Sequence, residues 1–277
     1  SVNMRSKGVA QQIATHLREA GYFVGYGFDQ SALSRCYEVS QVAHGLPASI
    51  KKKYAYTGPD VDRPEPSYDG VSVSSARAWD YSPHGFYGVK KTAYPEAFDS
   101  LEGVYHVQND FGRRVASALS ESFGVSFDAG FGTLRLMRYP AGQIVESTSK
   151  GIAPHTDFEA FTVLHSRGTG ARLEILVDGQ WIVPQRESDG LLVILGDVVE
   201  RLTNGVLKAT PHRVVQQQGG KEDRYSVIRF HALHPDTLIQ PLPHFVTPDR
   251  PAQYTPVTMR KHMETTLSNL DQGKPTW

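Results

Sequence analysis

Residues 151–165 read Gly151-Ile152-Ala153-Pro154-His155-Thr156-Asp157-Phe158-Glu159-Ala160-Phe161-Thr162-Val163-Leu164-His165 and hold two signals back to back. Ala160 to His165 is a short apolar run of β-branched and aromatic residues, the pattern of a buried strand. Just before it, His155 and Asp157 stand at i and i+2, which in extended chain puts an imidazole and a carboxylate on the same side. Similar strand-like runs lie on both sides: Thr133 to Tyr139 upstream, then Arg172 to Val177, Leu191 to Leu195, Arg213 to Gln217 and Tyr225 to Phe230. Gly, Asp and Asn turns separate them. Six such runs in about a hundred residues indicate a closed or double-sheet β architecture, because closure is how all-β units manage their edges.

The N-terminal half has a different period. Val9, Ile13, Leu17 and Ala20 recur at helical spacing, and Gly21 ends that helix before a strand-like Tyr22 to Tyr26. Ala32 to His44, with Ser31 as N-cap, and Pro47 to Tyr56 read as two more helices. Thr57 to Pro95 has no sustained period and reads as a long, partly structured loop, a length that is more often functional than idle. Leu101, Val104, Tyr105, Phe111, Val115, Leu119 and Phe123 mark a long amphipathic helix, Phe98 to Phe123, stopped at Gly124. Thr255 to Leu270 reads as a final helix. With no repeat or linker, the expected class is α+β with a mainly β core, one domain over residues 1–277. Its parts are a mainly helical stretch with the variable loop (1–125), the β core (126–240) and a C-terminal segment with a helix (241–277).

Lys plus Arg and Asp plus Glu both count 29, so no net field draws the chain to nucleic acid or an anionic membrane, and a small-molecule partner is expected. The one cysteine, Cys36, rules out an intramolecular disulfide and any multi-thiolate metal site, which suits a reducing cytoplasm. Ser1 to Ala10 lacks the apolar core of a signal peptide, and no run approaches the roughly 18 apolar residues of a membrane span. Oligomeric state leaves no signal.

His155 and Asp157 need a third ligand to make a metal site, and His212, in Thr210-Pro211-His212-Arg213-Val214, is the candidate. Two histidines and one carboxylate with open positions suit an iron(II) that must also bind oxygen and substrate. Twelve residues on, Arg224-Tyr225-Ser226 puts a guanidinium and a hydroxyl on one face of a strand, a donor pair matched to a carboxylate. Taken singly, the first pair reads as surface polar residues and the second as an exposed edge. Their combination is what carries weight.

These residues also carry a resemblance. Gly151 to Asp157, then Leu202-Thr203-Asn204-Gly205, Pro211-His212-Arg213-Val214 and Arg224-Tyr225-Ser226 resemble, in order and spacing, the motifs of the iron(II)/2-oxoglutarate dioxygenases of the isopenicillin N synthase-like superfamily. Gly21-Tyr22-Phe23-Val24, Arg138-Tyr139-Pro140, and Pro241-Leu242-Pro243 with Tyr254 extend the likeness over nearly the whole chain. The resemblance implies a double-stranded β-helix, a jelly-roll relative, with flanking helices. His155 and Asp157 would sit at one rim and His212 on a facing strand. It implies Fe(II), 2-oxoglutarate and O2 as cofactors, with ascorbate helpful in vitro, and maps 2-oxoglutarate binding onto Arg224, Ser226 and Tyr139. Departures are Met137 where many plant members carry Asn, Arg172 in place of a glycine, and an interval from His212 to Arg224 about two residues longer than usual. An even insertion at a hairpin tip, around Gly219-Gly220, would leave each side chain on its own face.

The implied reaction oxidises an unactivated C–H bond of a small metabolite, by hydroxylation or by desaturation, cyclisation or epimerisation, as a biosynthetic tailoring step. Asp157 argues against halogenation, which needs the carboxylate's place on the metal. For substrate contact the candidates are Tyr81, His84 and Phe158, with core or lid packing as the plainer role, and Arg172, which is otherwise a solvated arginine. No separate acid or base is identifiable; Asp80 and Glu174 read as structural. Three rivals stay open: a 2-oxoglutarate-independent oxidase of the same fold, a zinc hydrolase or lyase, and a binding module with a vestigial site.

Overall fold

Leu191 to Leu195 is apolar at every position because both faces of that strand are covered. The computed structural model, which describes residues 1–55, 67–69, 77–82, 96–141, 152–169, 171–185, 189–216 and 221–272, shows what covers them. In the N-terminal half, β1 (Val2–Asn3) pairs with β2 (Tyr22–Tyr26) in parallel, with α1 (Val9–Ala20) between them. Then come α2 (Gln30–Gly45), α3 (Ala48–Lys51), β3 (Ser67–Asp69), β4 (Arg77–Tyr81) and α4 (Leu101–Phe123). The β-rich part follows as β5 (Leu134–Tyr139), β6 (Ile152–His155), β7 (Phe161–Arg167), β8 (Ala171–Val177), β9 (Gln180–Ile182) and β10 (Leu191–Leu195). After α5 (Asp197–Leu202) come β11 (His212–Gln216), β12 (Arg224–His231), β13 (Leu238–Ile239), β14 (Val257–Thr258) and α6 (Met259–Asp271).

The strands form a large sheet in the order β1-β2-β10-β7-β12-β5-β4-β3 and a smaller one, β6-β11-β8-β9. Leu191, Val193 and Leu195 of β10 join the core under α1, α2 and α4, while Leu192 and Ile194 join a second core with Leu173, Ile175 and Val214 of the smaller sheet. Alternation at period two thus feeds two cores from one strand. Each fully buried Leu or Ile contributes about 1.5–3 kcal/mol. The second core, between the sheets, is where the candidate site lies.

Both glycine stops hold: Gly21 (φ 72°) and Gly124 (φ 65°) cap α1 and α4 in the left-handed conformation that side chains resist. The six strand-like runs all become strands, shifted by a residue or two at their ends. Several expectations need correction. The cap of α2 is Asp29, whose carboxylate accepts from the backbone N–H groups of Ser31 and Ala32; Ser31 lies inside the helix. The helix over 47–56 shrinks to α3 and a 3-10 turn, Lys52–Tyr54. The final helix starts only at Met259, because Val257 and Thr258 pair with β13. Most of the loop 57–95 lies outside the described residues, but Arg77–Tyr81 is a strand paired with β5. Strands β11 and β12 belong to different sheets, so the insertion between them is not at a hairpin tip and the parity argument does not apply.

Candidate active site

His155 is the last residue of β6 and His212 the first of β11, and antiparallel pairing sets them directly opposite each other with ring centroids 4.2 Å apart. They come from neighbouring strands of one sheet, not from facing strands as expected. Asp157 stands two residues beyond β6, and its Oδ1 lies 3.7 Å from Nε2 of each histidine. One ligand atom from each of the three falls within 4.8 Å of the others, and among the described residues this is the only such group of three. His165, His231 and His234 form no second group: His165 Nδ1 is 2.7 Å from the Tyr37 hydroxyl, and His231 stacks on Phe161.

The histidine tautomers follow from what lies behind each ring. Nδ1 of His155 is 2.8 Å from the Ala153 carbonyl oxygen, and Nδ1 of His212 is 3.0 Å from that of Thr210. A carbonyl only accepts, so each Nδ1 donates and each Nε2 keeps its lone pair for a metal. Lost hydration, and next the adjacent His212, hold His155 down to about 4, so it is neutral, the form that ligates. Asp157 is buried, and its Oδ2 accepts a hydrogen bond from the Thr162 hydroxyl, which leaves Oδ1 toward the histidines. Its backbone is pinned too: the Asp197 N–H at the start of α5 donates to the Asp157 carbonyl at 2.8 Å. Burial, and then Asp157 beside it, push Glu159 up to about 8, so this neighbouring buried acid is neutral near pH 7.

A cavity opens beside the three ligands, between the sheets. Met137, Ile152, Leu164, Leu173, Val214 and Phe230 give it apolar walls, and Arg224, Ser226 and Tyr139 also line it. Arg224 and Ser226 are 2% and 1% exposed, yet Arg224 Nη1 and Ser226 Oγ have no hydrogen-bond partner among the described residues. Leaving a guanidinium buried without an anion costs several kcal/mol, a cost that an anion bound at this pair would relieve. Tyr139 is buried, the Arg224 guanidinium lies 4.9 Å from its ring centroid, and its hydroxyl donates to Met137 Sδ at 3.4 Å. Burial raises the Tyr139 hydroxyl above its usual range, against the pull of Arg224, so it stays a neutral donor.

The substrate candidates fare differently. Tyr81 is 1% exposed in β4, packed against Phe98 and Tyr105 in the helix-side core, so it is not a cavity residue. Phe158 also packs on that core, because the turn carrying Asp157 sends the next side chain the other way. Arg172 alternates with the cavity residue Leu173, so it lies on the outer face of the smaller sheet, where its Nε donates to Glu174 at 2.8 Å. His84 lies outside the described residues. Missed from the sequence was Arg135, which lines the cavity and forms a fork on Asp80. Its signal was there: Arg135, Met137 and Tyr139 share one parity on β5.

Residues 131–232 match the model of the 2OG-Fe(II) oxygenase superfamily. Flavanone 3-dioxygenase 3 of Oryza sativa subsp. japonica is 26% identical over 279 residues, covering 95% of this chain and 84% of that one. A full-length Neurospora crassa protein, in a crystal structure with alpha-KG and 5-formyluracil, shares the fold at a TM-score of 0.81 and 19% identity, over 94% of this chain and 89% of that one. A rice dioxygenase for auxin oxidation does so at 0.76 and 21%, over 99% and 95%. The jelly-roll fold, the His-Asp-His cluster and these likenesses agree with a 2OG-Fe(II) oxygenase domain over residues 131–232, the kind of oxidoreductase that uses iron(II) and 2-oxoglutarate.

Proposed function

We propose that His155, Asp157 and His212 hold the iron, that Arg224, Ser226 and Tyr139 hold the far carboxylate of 2-oxoglutarate, and that the chain oxidises a C–H bond of a small metabolite. The observation that carries this is the pair of unpartnered buried donors, Arg224 Nη1 and Ser226 Oγ, in the same cavity as the three metal-type ligands. When bound, iron(II) and 2-oxoglutarate supply the oxidation itself, with succinate and carbon dioxide as by-products. The residues do the rest. The Nδ1 bonds fix the imidazoles, Thr162 orients Asp157, and the apolar walls exclude water from the reacting C–H bond.

A small substrate is supported by the flavanone, 5-formyluracil and auxin named for the relatives above. Hydroxylation is the default outcome, with desaturation, cyclisation or epimerisation set by where the substrate sits. The whole chain acts as one unit in this reading, since β1 and β2 lie in the same sheet as β5, β7, β10 and β12. The test is stoichiometry: substrate-stimulated succinate release matching oxygen consumed is expected, abolished by chelation and restored by iron(II) with ascorbate. Turnover without 2-oxoglutarate, or restoration by zinc, would sink the reading.

A further inference from the structure

The segment 157–160 leads from Asp157 into β7, and each of its four backbone carbonyls accepts a hydrogen bond. The N–H groups of Asp197, Val198 and Gly196, around the start of α5, donate to the carbonyls of Asp157, Glu159 and Ala160 at 2.8, 3.2 and 2.9 Å. The carbonyl of Phe158 is served from elsewhere: Nε2 of His262, on α6, lies 3.0 Å from its oxygen. A carbonyl only accepts, so Nε2 is the protonated ring nitrogen and the donor. Three of the four bonds come from backbone groups. The fourth comes from a side chain, and it acts on the residue next to Asp157.

The C-terminal helix is placed for this by its apolar face. Met259, Met263 and Leu267 recur at four-residue spacing and are buried in the helix-side core, and His262 is buried beside them. The Phe158 side chain packs on the same core, so residue 158 is held by its ring and by its carbonyl together. On the other side of the ligand, the Thr162 hydroxyl holds Oδ2 of Asp157. The carboxylate is therefore fixed at its far oxygen, and the chain that carries it is fixed one residue on. Burying an imidazole sacrifices hydration that an apolar residue would not lose, and the bond to Phe158 offsets that loss.

We propose that His262 is a positioning residue for the metal: by holding the Phe158 carbonyl it fixes the peptide that follows Asp157, so that the C-terminal helix sets the direction of the carboxylate ligand. The proposal rests on the reading of His155, Asp157 and His212 as the iron ligands, and its test measures that reading separately.

The measurement is iron(II) affinity of the full chain without oxygen, by competition against a chelator, beside the melting temperature of the metal-free protein. The amide of glutamine reaches about as far from Cβ as imidazole Nε2, whereas that of asparagine ends one bond short. His262→Gln thus keeps the donor and His262→Asn loses it. Iron affinity should fall about tenfold or more in His262→Asn and stay within about threefold of wild type in His262→Gln. Leu267→Ala loosens the same helix without touching the bond, and should lower the melting temperature while iron affinity stays within about threefold. Equal affinities in His262→Asn and wild type, an equal loss in His262→Gln, or a loss as large in Leu267→Ala would each overturn the proposal. A second measurement needs no variant: because coupling is reciprocal, iron should slow amide hydrogen exchange in α6 more than in α1. Exchange in α6 indifferent to iron would overturn the proposal even if His262→Asn fails to fold. Wild type that binds no iron, or His212→Ala that binds it equally well, would overturn the ligand reading and this proposal with it.

Discussion

Thr162 donates its hydroxyl proton to Oδ2 of Asp157, so that the other carboxylate oxygen, Oδ1, is left 3.7 Å from Nε2 of both His155 and His212. The bond ties a strand of the large sheet to the loop after β6 and sets which oxygen faces the imidazoles. Partners of this kind behind a metal ligand typically matter by about ten- to hundredfold in metal affinity. Thr162→Val, which keeps the shape and removes the hydroxyl, should therefore weaken iron(II) binding by about that factor with the fold intact, read by competition against a chelator. Unchanged affinity would mean that Asp157 does not need the bond to ligate.

At the other end of the cavity, Ser226 and Arg224 should set 2-oxoglutarate affinity. A hydrogen bond to a charged group is worth about 1.5–3 kcal/mol, so Ser226→Ala should raise the KM for 2-oxoglutarate about ten- to hundredfold with little change in kcat. Arg224→Lys keeps the charge and loses the two-pronged geometry, and should cost at least as much. An unchanged KM in both variants would remove the carboxylate clamp from the site.

Gly196 touches no ligand and still bears on the metal. A Cβ built there would run into the carbonyl oxygens of Glu159 and Asp157, both fixed backbone. Its φ of −112° is ordinary, so the effect of Gly196→Ala is steric and aimed at the loop that carries Asp157. Overpacking of this sort costs about 1–3 kcal/mol. Iron affinity should drop along with the melting temperature, whereas Gly45→Ala, where a Cβ meets nothing, should leave both unchanged.

Two buried histidines give the stability a definite pH slope. His44 bonds to the Leu136 carbonyl and His262 to that of Phe158, and burial holds each down to about 4 from 6.5. Between those values the unfolded chain binds protons that the folded one refuses, so stability is full above about pH 6.5 and is lost as pH falls toward 4. Each pKa unit is worth about 1.4 kcal/mol, which puts the loss on the order of 3 kcal/mol per histidine. Glu159, raised to about 8, acts in the opposite direction, so the histidine effect is read as a difference: from pH 7.5 to 4.5 the urea midpoint of wild type should fall relative to that of His44→Gln. A wild-type midpoint that rises relative to His44→Gln on acidification would contradict the sign.

The parts of the site that a sequence displays are those written locally. His155 and Asp157 are two residues apart, Arg224 and Ser226 likewise, and each pair reaches the cavity as its spacing implied. The pairing of His155 with His212 joins residues far apart in the chain, and only the sheet order reveals that they are neighbours on paired strands. Tyr81 misled because aromatic residues in a segment without period look like lid residues, whereas pairing of β4 with β5 turns Tyr81 into the core. Arg172 misled in the opposite sense: its mismatch with the family pattern drew attention, but strand parity puts it outside. Arg135 was visible by the same parity, two steps from Met137 and four from Tyr139, and needed Asp80 on a neighbouring strand to stand out.

The proposed site puts iron on His155, Asp157 and His212 and 2-oxoglutarate on iron and Arg224 together, all in one cavity. Its most direct test is an anaerobic titration of the iron(II)-loaded protein with 2-oxoglutarate, followed by the charge-transfer absorption that arises when a 2-oxo acid chelates iron(II). Wild type should saturate at one equivalent, His212→Ala should give no band, and Arg224→Lys should give the same band at higher 2-oxoglutarate. A band of equal strength and affinity in His212→Ala would contradict the site.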